Sequence, residues 1–471
     1  LSPSIVEFPR RVFSGYGFSS RSVSAFATPR STDEVRALFT QAAREGVRVA
    51  LRGSGRSYGD AAMNGGELVA DMTGMNRLLA WDPATGVAEV EPGYTVQDLW
   101  RSTLGDGWWP GVVPGTMFPT LGGCAAMNIH GKNHYRMGGI GDQILEFDLV
   151  TPRGELYTVS RLEHPELFHA VISGFGMLGT ITRLKLKLKR IHGGRLKVRQ
   201  LPARSLQEQF ALFEQHEGSS DYLVSWVDCI SGGAGLGRGQ VHVARYTAEG
   251  EDPDGKALLD PARQDLPGTM LGVPRSLVGT VLKMFAFNFG MRIVNLGKYL
   301  ASTASPTSEY LQGHVAFHFL LDYIPTWRAA YEPEGFIQYQ PFVPREHARE
   351  VFSQLLRLNQ ARGLVSYLGV LKRYRPDEFL LSHALDGYSL AMDFPVTRSN
   401  REALWKMCGE MTEIVLAAGG RFYPAKDSVL RPEDFRRAWG QERVSRFQAL
   451  RRAMDPDQLL RTEWAARVGV E

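Results

Sequence analysis

Cysteine is scarce in this chain. Cys124, Cys229 and Cys408 are the only three in 471 residues, and an odd, scattered set excludes a disulfide framework. No two of them stand at metal-ligand spacing, so no metal site is expected and a reducing, cytoplasmic setting is. An excess of one charge is also missing. Lys and Arg total 54 against 50 Asp and Glu, a net of +4. With no basic helix, zinc pattern or RNA-binding signature, that balance excludes a nucleic-acid partner. No apolar run is long enough to span a bilayer, and the first residues show no basic start followed by an apolar core, so no signal peptide is visible. The most local absence is of acid. Residues 266–308 hold no Asp or Glu, while Arg275, Lys283, Arg292 and Lys298 stand among Leu277, Val281, Leu282, Met284, Phe285, Phe287, Phe289, Ile293, Val294 and Leu296. That composition fits a core helix with a connecting loop. It also fits an interfacial segment, apolar with basic anchors, lying peripherally at a membrane surface.

What is present suits a globular protein. Hydrophobic residues make up 44% and glycines number 50, a composition of mixed helix and strand with many turns. The length favours two domains. Ser31-Thr32-Asp33-Glu34 is a capping-box pattern; Val35, Leu38, Phe39 and Ala42 then form an apolar stripe that Gly46 ends. Strands are expected at 47–51, 68–72 and 87–91, a helix at 95–104, a hairpin over 144–159 and a helix at 164–173. Leu184, Leu186 and Leu188 alternate with Lys185, Lys187 and Lys189, the pattern of a strand with one buried face. Beyond about residue 191 the dense glycine motifs stop. Residues 336–343, 364–372 and 388–396 read as strands of one antiparallel sheet, with helices at 347–362 and 401–418.

Three loops carry the chemical signal. Arg52-Gly53-Ser54-Gly55-Arg56-Ser57-Tyr58-Gly59-Asp60 follows a strand, and its glycines and serines let backbone N–H groups converge on a diphosphate. It is neither a dinucleotide-binding fingerprint nor a P-loop, and such a cluster alone is often only a tight turn. Residues 114–133 are dense in Gly, Thr and small side chains, which lets the main chain lie against a flat ligand. Residues 174–181 form a third glycine loop. Three such loops in one domain point to a single extended nucleotide cofactor.

In this order, Arg52-Gly53-Ser54-Gly55-Arg56-Ser57, Pro114-Gly115-Thr116 with Leu121-Gly122-Gly123, and Gly174-x-Gly-x-x-Gly-x-Ile181 resemble the FAD-binding domain of the vanillyl-alcohol-oxidase (PCMH-type) flavoproteins. Further family hallmarks match at Ile129-His130-Gly131-Lys132-Asn133-His134, at residues 335–340 and at Tyr423-Pro424-Ala425-Lys426-Asp427-Ser428. They span nearly the whole chain. The resemblance implies an α+β fold: a two-part FAD-binding domain from residues 1–190 and 416–471, around an inserted substrate domain at 191–415 whose antiparallel sheet is flanked by helices. The nearest branch oxidises the ribosyl 2′-hydroxyl of a polyprenyl-phosphate ribose, a cell-wall precursor, and a separate NAD-dependent reductase completes the epimerisation to arabinose.

The resemblance also assigns roles. Many relatives attach FAD to a histidine where this chain has Arg56, so non-covalent FAD is implied. The cofactor-binding set is Arg52, Gly53, Ser54, Gly55, Arg56, Ser57, Tyr58, Gly115, Thr116, Gly122, Gly123, Asn128, His130, Lys132, Ile181 and Tyr423. Trp226, His318, Gln338, Gln340, Lys372, Ser389 and Lys426 form the substrate set. Alcohol oxidation removes a hydroxyl proton and passes a hydride to flavin N5, so a buried, tuned lysine or histidine is needed as base. Lys426 and His130 are the catalytic pair, with the proton acceptor left open between them. Gln338 and Gln340 alternate along a strand, so both face one side and suit a polyol.

Three pocket positions depart from the ribose-oxidase pattern: Ala391 replaces a cysteine, Ser389 an asparagine and His318 a tyrosine. Alternatives therefore stay open. One is a soluble alditol or aldonolactone oxidase using oxygen; another is a non-catalytic flavin-binding subunit or sensor, against which intact Lys426 and His130 argue.

Overall fold

A computed structural model describes residues 4–264, 266, 268–270, 273–304, 307–323 and 327–471. The first third of the chain builds two sheets. In one, Arg21–Ala27 and Val49–Arg52 run parallel to Leu68–Asp71 between them, and Arg10–Ser14 adds an antiparallel edge. Helix Thr32–Glu45 buries Val35, Leu38, Phe39 and Ala42 and ends at left-handed Gly46 (φ 67°). Only half of its expected capping box forms. Ser31 Oγ accepts from Glu34 N at 3.2 Å, but the Glu34 carboxylate accepts from Arg30 N at 2.8 Å, one residue early.

The second sheet is antiparallel, in the order Leu78–Asp82, Val87–Val90, Thr180–Lys187, Ile144–Val150, Leu156–Ser160. Its central strand keeps the alternation read from sequence. Leu184 and Leu186 are buried, while Arg183 on the other face meets Asp148 at 2.8 Å and Glu146 at 2.5 Å.

A nine-stranded antiparallel sheet makes up most of the inserted domain. Helices Leu206–His216, Arg345–Ala361 and Arg401–Ala417 cover one side. Tyr388 packs there against Phe210 of the first helix. Ser389 and Ala391 alternate with it and point the other way. The stretch expected as one strand over 336–343 is two, Phe336–Tyr339 and Pro341–Pro344, both on Gly387–Pro395. Their register is continuous, since Gln338 opposes Asp393 and Phe342 opposes Ser389. The break falls at Gln340, just before Pro341, which has no N–H to donate.

The returning chain adds Arg421–Phe422 to this sheet and then crosses to the glycine loops. There Tyr58 N donates to Ala425 O at 2.8 Å. Arg467 grips Asp60 through two bonds of 2.9 and 2.8 Å, Leu460 bridges Val49, and Trp464 packs on Phe175 with ring centres 4.6 Å apart. Both chain ends thus close one domain, and the inserted sheet opens onto it.

The acid-free segment contains helices Arg275–Met284 and Asn288–Ala304; residues 267, 271, 272, 305 and 306 lie outside the described residues. The second helix has two distinct stripes. Met291, Asn295, Lys298 and Ser302 repeat at helical spacing on the inner side, where Asn295 and Ser302 are buried. Phe289, Ile293, Leu296 and Leu300 form the opposite stripe and are exposed. The helix is thus buried along part of one face and exposed along the other. The expectation of four outward basic anchors needs correction: Arg275 donates inward to Asp322 O at 2.9 Å, and Lys298 lines a cavity. Among the described residues no helix is long and apolar enough to cross a membrane.

Candidate active site

A cavity of about 760 Å³ lies where the glycine loops meet the open face of the large sheet, a size in the ordinary ligand-pocket range. From the FAD-domain side it is lined by residues 52–58, Gly115, Thr116, Gly122, Gly123, His130, Lys132, Ile181, Tyr423 and Lys426. From the inserted side it is lined by Trp226, His318, Gln338, Gln340 and Lys372. Two expected residues stand outside the lining. Asn128 is fully buried; its amide donates to Asp377 at 3.0 Å and accepts from Gly141 N at 3.0 Å, which anchors neighbouring loops. Ser389 sits one layer back, where its hydroxyl accepts from Gln340 at 3.2 Å.

The first loop is shaped by close approach. A Cβ on Gly53 would lie 2.0 Å from Thr120 Oγ1, and Gly55 has φ +66° with a Cβ position 2.1 Å from the Arg52 guanidinium. Neither site tolerates a side chain. Arg52 itself braces the loop, donating to Ala62 O at 2.9 Å and Ser14 O at 3.1 Å. Its backbone faces the cavity while its charge is spent on carbonyls. Arg56 is different. Its guanidinium lies over Tyr16 and Phe118, 5.1 and 4.9 Å from the ring centres, yet its Nε is buried without a partner. The Tyr58 hydroxyl is likewise buried and unpartnered. Buried polar atoms left open beside a glycine cradle are what an anionic, hydrogen-bonding cofactor would satisfy. The second loop is held by a residue sequence reasoning missed: Asp322 accepts from Thr116 Oγ1 at 2.7 Å and Met117 N at 2.8 Å.

The catalytic candidates meet at the junction of the two domains. Lys426 Nζ sits 3.2 Å from the Tyr58 ring centre. Burial pushes its amine well below the ordinary lysine range, Asp393 pulls it back up, and Lys372 adds repulsion. Asp393 is buried beneath, raised by burial although Gln338 donates to it at 2.5 Å. His130 has both ring nitrogens engaged: Gln340 Nε2 faces its Nε2 at 3.2 Å, and Tyr374 Oη meets its Nδ1 at 2.9 Å. Burial, with repulsion from Lys372, His383, His134 and Lys426, pushes that imidazole well below the ordinary histidine range. Lys132 donates to the carbonyls of Phe317 and His318. His318 Nδ1 meets His314 O at 2.8 Å while its Nε2 is buried without a partner.

The sheet face forms the opposite wall. Its register sets Gln200 opposite His242, His242 opposite Val224, Val224 opposite Lys372, and Lys372 opposite Ser389. One rank of side chains therefore crosses five strands on the cavity side. Gln200, His242 and Asp393 were not singled out from sequence. His242 left a faint local signal, a polar residue recurring at period two in Gln240-Val241-His242-Val243, while Gln200 and Asp393 left none of that kind.

Fold and cavity together define an FAD-linked oxidoreductase. An FAD binding domain model matches residues 23–160, and a D-arabinono-1,4-lactone oxidase model matches residues 336–468. The chain is 31% identical over 471 residues to decaprenylphosphoryl-beta-D-ribose oxidase of Mycolicibacterium smegmatis, covering 99% of each chain. It belongs to the family of that oxidase. Similarity to other proteins is partial: 31% identity to cytokinin dehydrogenase 2 of Arabidopsis thaliana over 34% of this chain and 32% of that one, and 30% to a D-lactate dehydrogenase of Anaerostipes hadrus over 37% of each.

Proposed function

We propose that the protein oxidises the ribosyl 2′-hydroxyl of a polyprenyl-phosphate ribose, the first half of an epimerisation to the arabinose form, with FAD held non-covalently. The position of Lys426 carries this reading. Its amine is buried at the wall shared by the glycine loops and the polar sheet face, over the Tyr58 ring. An alcohol seated there needs a group to take its proton, and a lysine held toward its neutral form can accept it. His130, saturated at both nitrogens, positions Gln340 and the flavin-side loop. Gln338 and Gln340 spend their amide nitrogens on Asp393, Ser389 and His130. Their carbonyl oxygens would accept from sugar hydroxyls. Trp226, His318 and Lys372 complete the sugar pocket, with Ser389 supporting Gln340.

The main chain of residues 53–58 would hold the FAD diphosphate. Gly115, Thr116, Gly122, Gly123 and Ile181 would line the rest of the cofactor, with Tyr423, His130 and Lys132 on the ring side. When bound, FAD supplies the two-electron acceptor for the hydride leaving the carbinol carbon. Arg56 cannot form a bond of the kind a histidine makes to a flavin. We place the parts of the FAD domain at 1–190 and 416–471 and the substrate domain at 191–415, and expect an NAD-dependent reductase as partner. The exposed Phe289, Ile293, Leu296 and Leu300 stripe, with Lys283 and Arg292, would rest on an anionic membrane where a polyprenyl tail resides.

Anaerobic mixing with a panel of sugars, alditols and lipid-phosphate pentoses tests the reading. Bleaching of the flavin by phosphopentosides supports it. The match of residues 336–468 to a lactone oxidase model favours a second reading, a soluble alditol or aldonolactone oxidase using oxygen, and bleaching by free polyols alone would select it. No bleaching by any member would leave a flavin-binding subunit.

A further inference from the structure

The cavity lining contains no Asp or Glu among the described residues, yet it carries Arg52, Arg56, Lys132, Lys298, Lys372 and Lys426. These cations are not equivalent. Arg52 and Lys132 are spent on backbone carbonyls, and Arg56 belongs to the glycine cradle. Lys426 and Lys372 sit toward the catalytic junction. Lys298 remains. It projects from the inner stripe of helix Asn288–Ala304, exposed yet lining the cavity, with its ammonium 4.3 Å from the Trp226 ring centre. His242 lies close enough for Lys298 and Lys132 both to repel its protonated form. The one carboxylate this inner stripe reaches, Asp228, accepts from Asn295 at 3.0 Å and is paired with Arg238 at 3.0 Å. Among the described residues no acidic group offsets Lys298 itself. Met291 and Val294 of the same helix also line the cavity, so the charge is bordered by apolar surface.

The geometry points to an anion subsite at Lys298 and His242, distinct from the glycine cradle, that takes the phosphate of a sugar phosphodiester. The proposal rests on the cavity being the substrate site as read above and names the group that distinguishes its substrate from a free sugar. A phosphodiester oxygen would meet the Lys298 ammonium over Trp226, and the neutral His242 imidazole would add an N–H donor. Met291 and Val294 would border the first carbons of an alkyl substituent. Trp226 lies between this subsite and the sugar end of the same sheet face, directly opposite Val370.

The test compares FAD-loaded wild type with Lys298→Gln and Lys298→Arg on three probes: a ribosyl phosphodiester with a short alkyl chain, methyl riboside, and inorganic phosphate. Lys298→Gln should lower the ratio of kcat/KM for the phosphodiester to that for methyl riboside at least tenfold, and Lys298→Arg should largely restore it. Inorganic phosphate should compete with the phosphodiester in wild type and much less in Lys298→Gln. His242→Gln should lower the same ratio, which keeps the test valid should one variant fold poorly. An unchanged ratio in both Gln variants would overturn the subsite. If no riboside reduces the wild-type flavin, the proposed substrate fails instead, and perturbation of the flavin spectrum by the phosphodiester, lost in Lys298→Gln, still decides the subsite. Competition by inorganic phosphate that is equal in wild type and Lys298→Gln would assign phosphate binding to the glycine cradle and count against it.

Discussion

Gln340 places its amide nitrogen 3.2 Å from His130 Nε2. Tyr374 Oη lies 2.9 Å from the other ring nitrogen, Nδ1. Both nitrogens are then occupied by protein groups. A base must offer a free lone pair to the hydroxyl it deprotonates, and of the two candidates Lys426 is the one with no such engagement. The contact converts a choice left open by sequence motifs into a testable assignment.

Lys426→Met should therefore keep FAD and lose substrate-driven flavin reduction on the order of 100-fold or more, the usual cost of removing a positioned acid–base group. His130→Gln should lower activity less and loosen the flavin, because it disturbs the loop carrying Lys132. Rapid-mixing absorbance at the flavin band, with cofactor content measured in parallel, separates the two effects. Near-normal reduction in Lys426→Met would remove it from the mechanism.

The unequal legibility of these residues has a physical origin. Lys426, His130 and the glycine loops sit in short contiguous motifs, where local backbone shape and chemistry are specified together. The alternation of Gln338 and Gln340 was also readable, because a strand has a fixed period. Lys372 was named by the resemblance, but His242 and Gln200 join it only through the register of four strands, which no local pattern states. Lys298 was taken for an outward anchor because composition gives a helix its charges without its orientation. Asp322 reaches Thr116 across 206 positions of sequence, and a contact that distant leaves no trace in either neighbourhood.

The pH profile should follow Lys426. Burial lowers its pKa, which leaves the amine neutral over a range where an ordinary lysine, at about 10.4, is charged. The neutral form accepts the proton, so kcat/KM should fall as pH drops and rise to a plateau as the amine deprotonates. The acidic limb should lie well below the ordinary lysine range. Asp393→Asn removes a carboxylate that raises the Lys426 pKa and should shift the limb to still lower pH. A limb near 10, or one unmoved by Asp393→Asn, would contradict the assignment.

Flavin attachment gives a direct readout. The resemblance sets Arg56 where many relatives carry an attachment histidine, and its guanidinium is packed between Tyr16 and Phe118. Acid or heat denaturation should release yellow FAD into the supernatant. Flavin remaining with the precipitate would show a covalent link elsewhere.

The exposed stripe of helix Asn288–Ala304 predicts vesicle binding. Phe289 and Ile293 are 66% and 50% exposed, and no acidic side chain occurs in residues 266–308 to oppose a negative surface. Because Arg275 and Lys298 turn inward, Lys283 and Arg292 are the remaining outward charges. Each contributes about 1 kcal/mol near an anionic surface, so replacing both with Gln should weaken binding roughly 30-fold at low salt. Phe289→Ser with Ile293→Ser should weaken it on neutral and anionic vesicles alike, since that contribution is apolar. Co-sedimentation with anionic and neutral vesicles, with and without added salt, distinguishes the two terms. If wild type sediments with neither, the stripe covers some other apolar surface, and the lipid-linked substrate loses its route to the cavity from the bilayer.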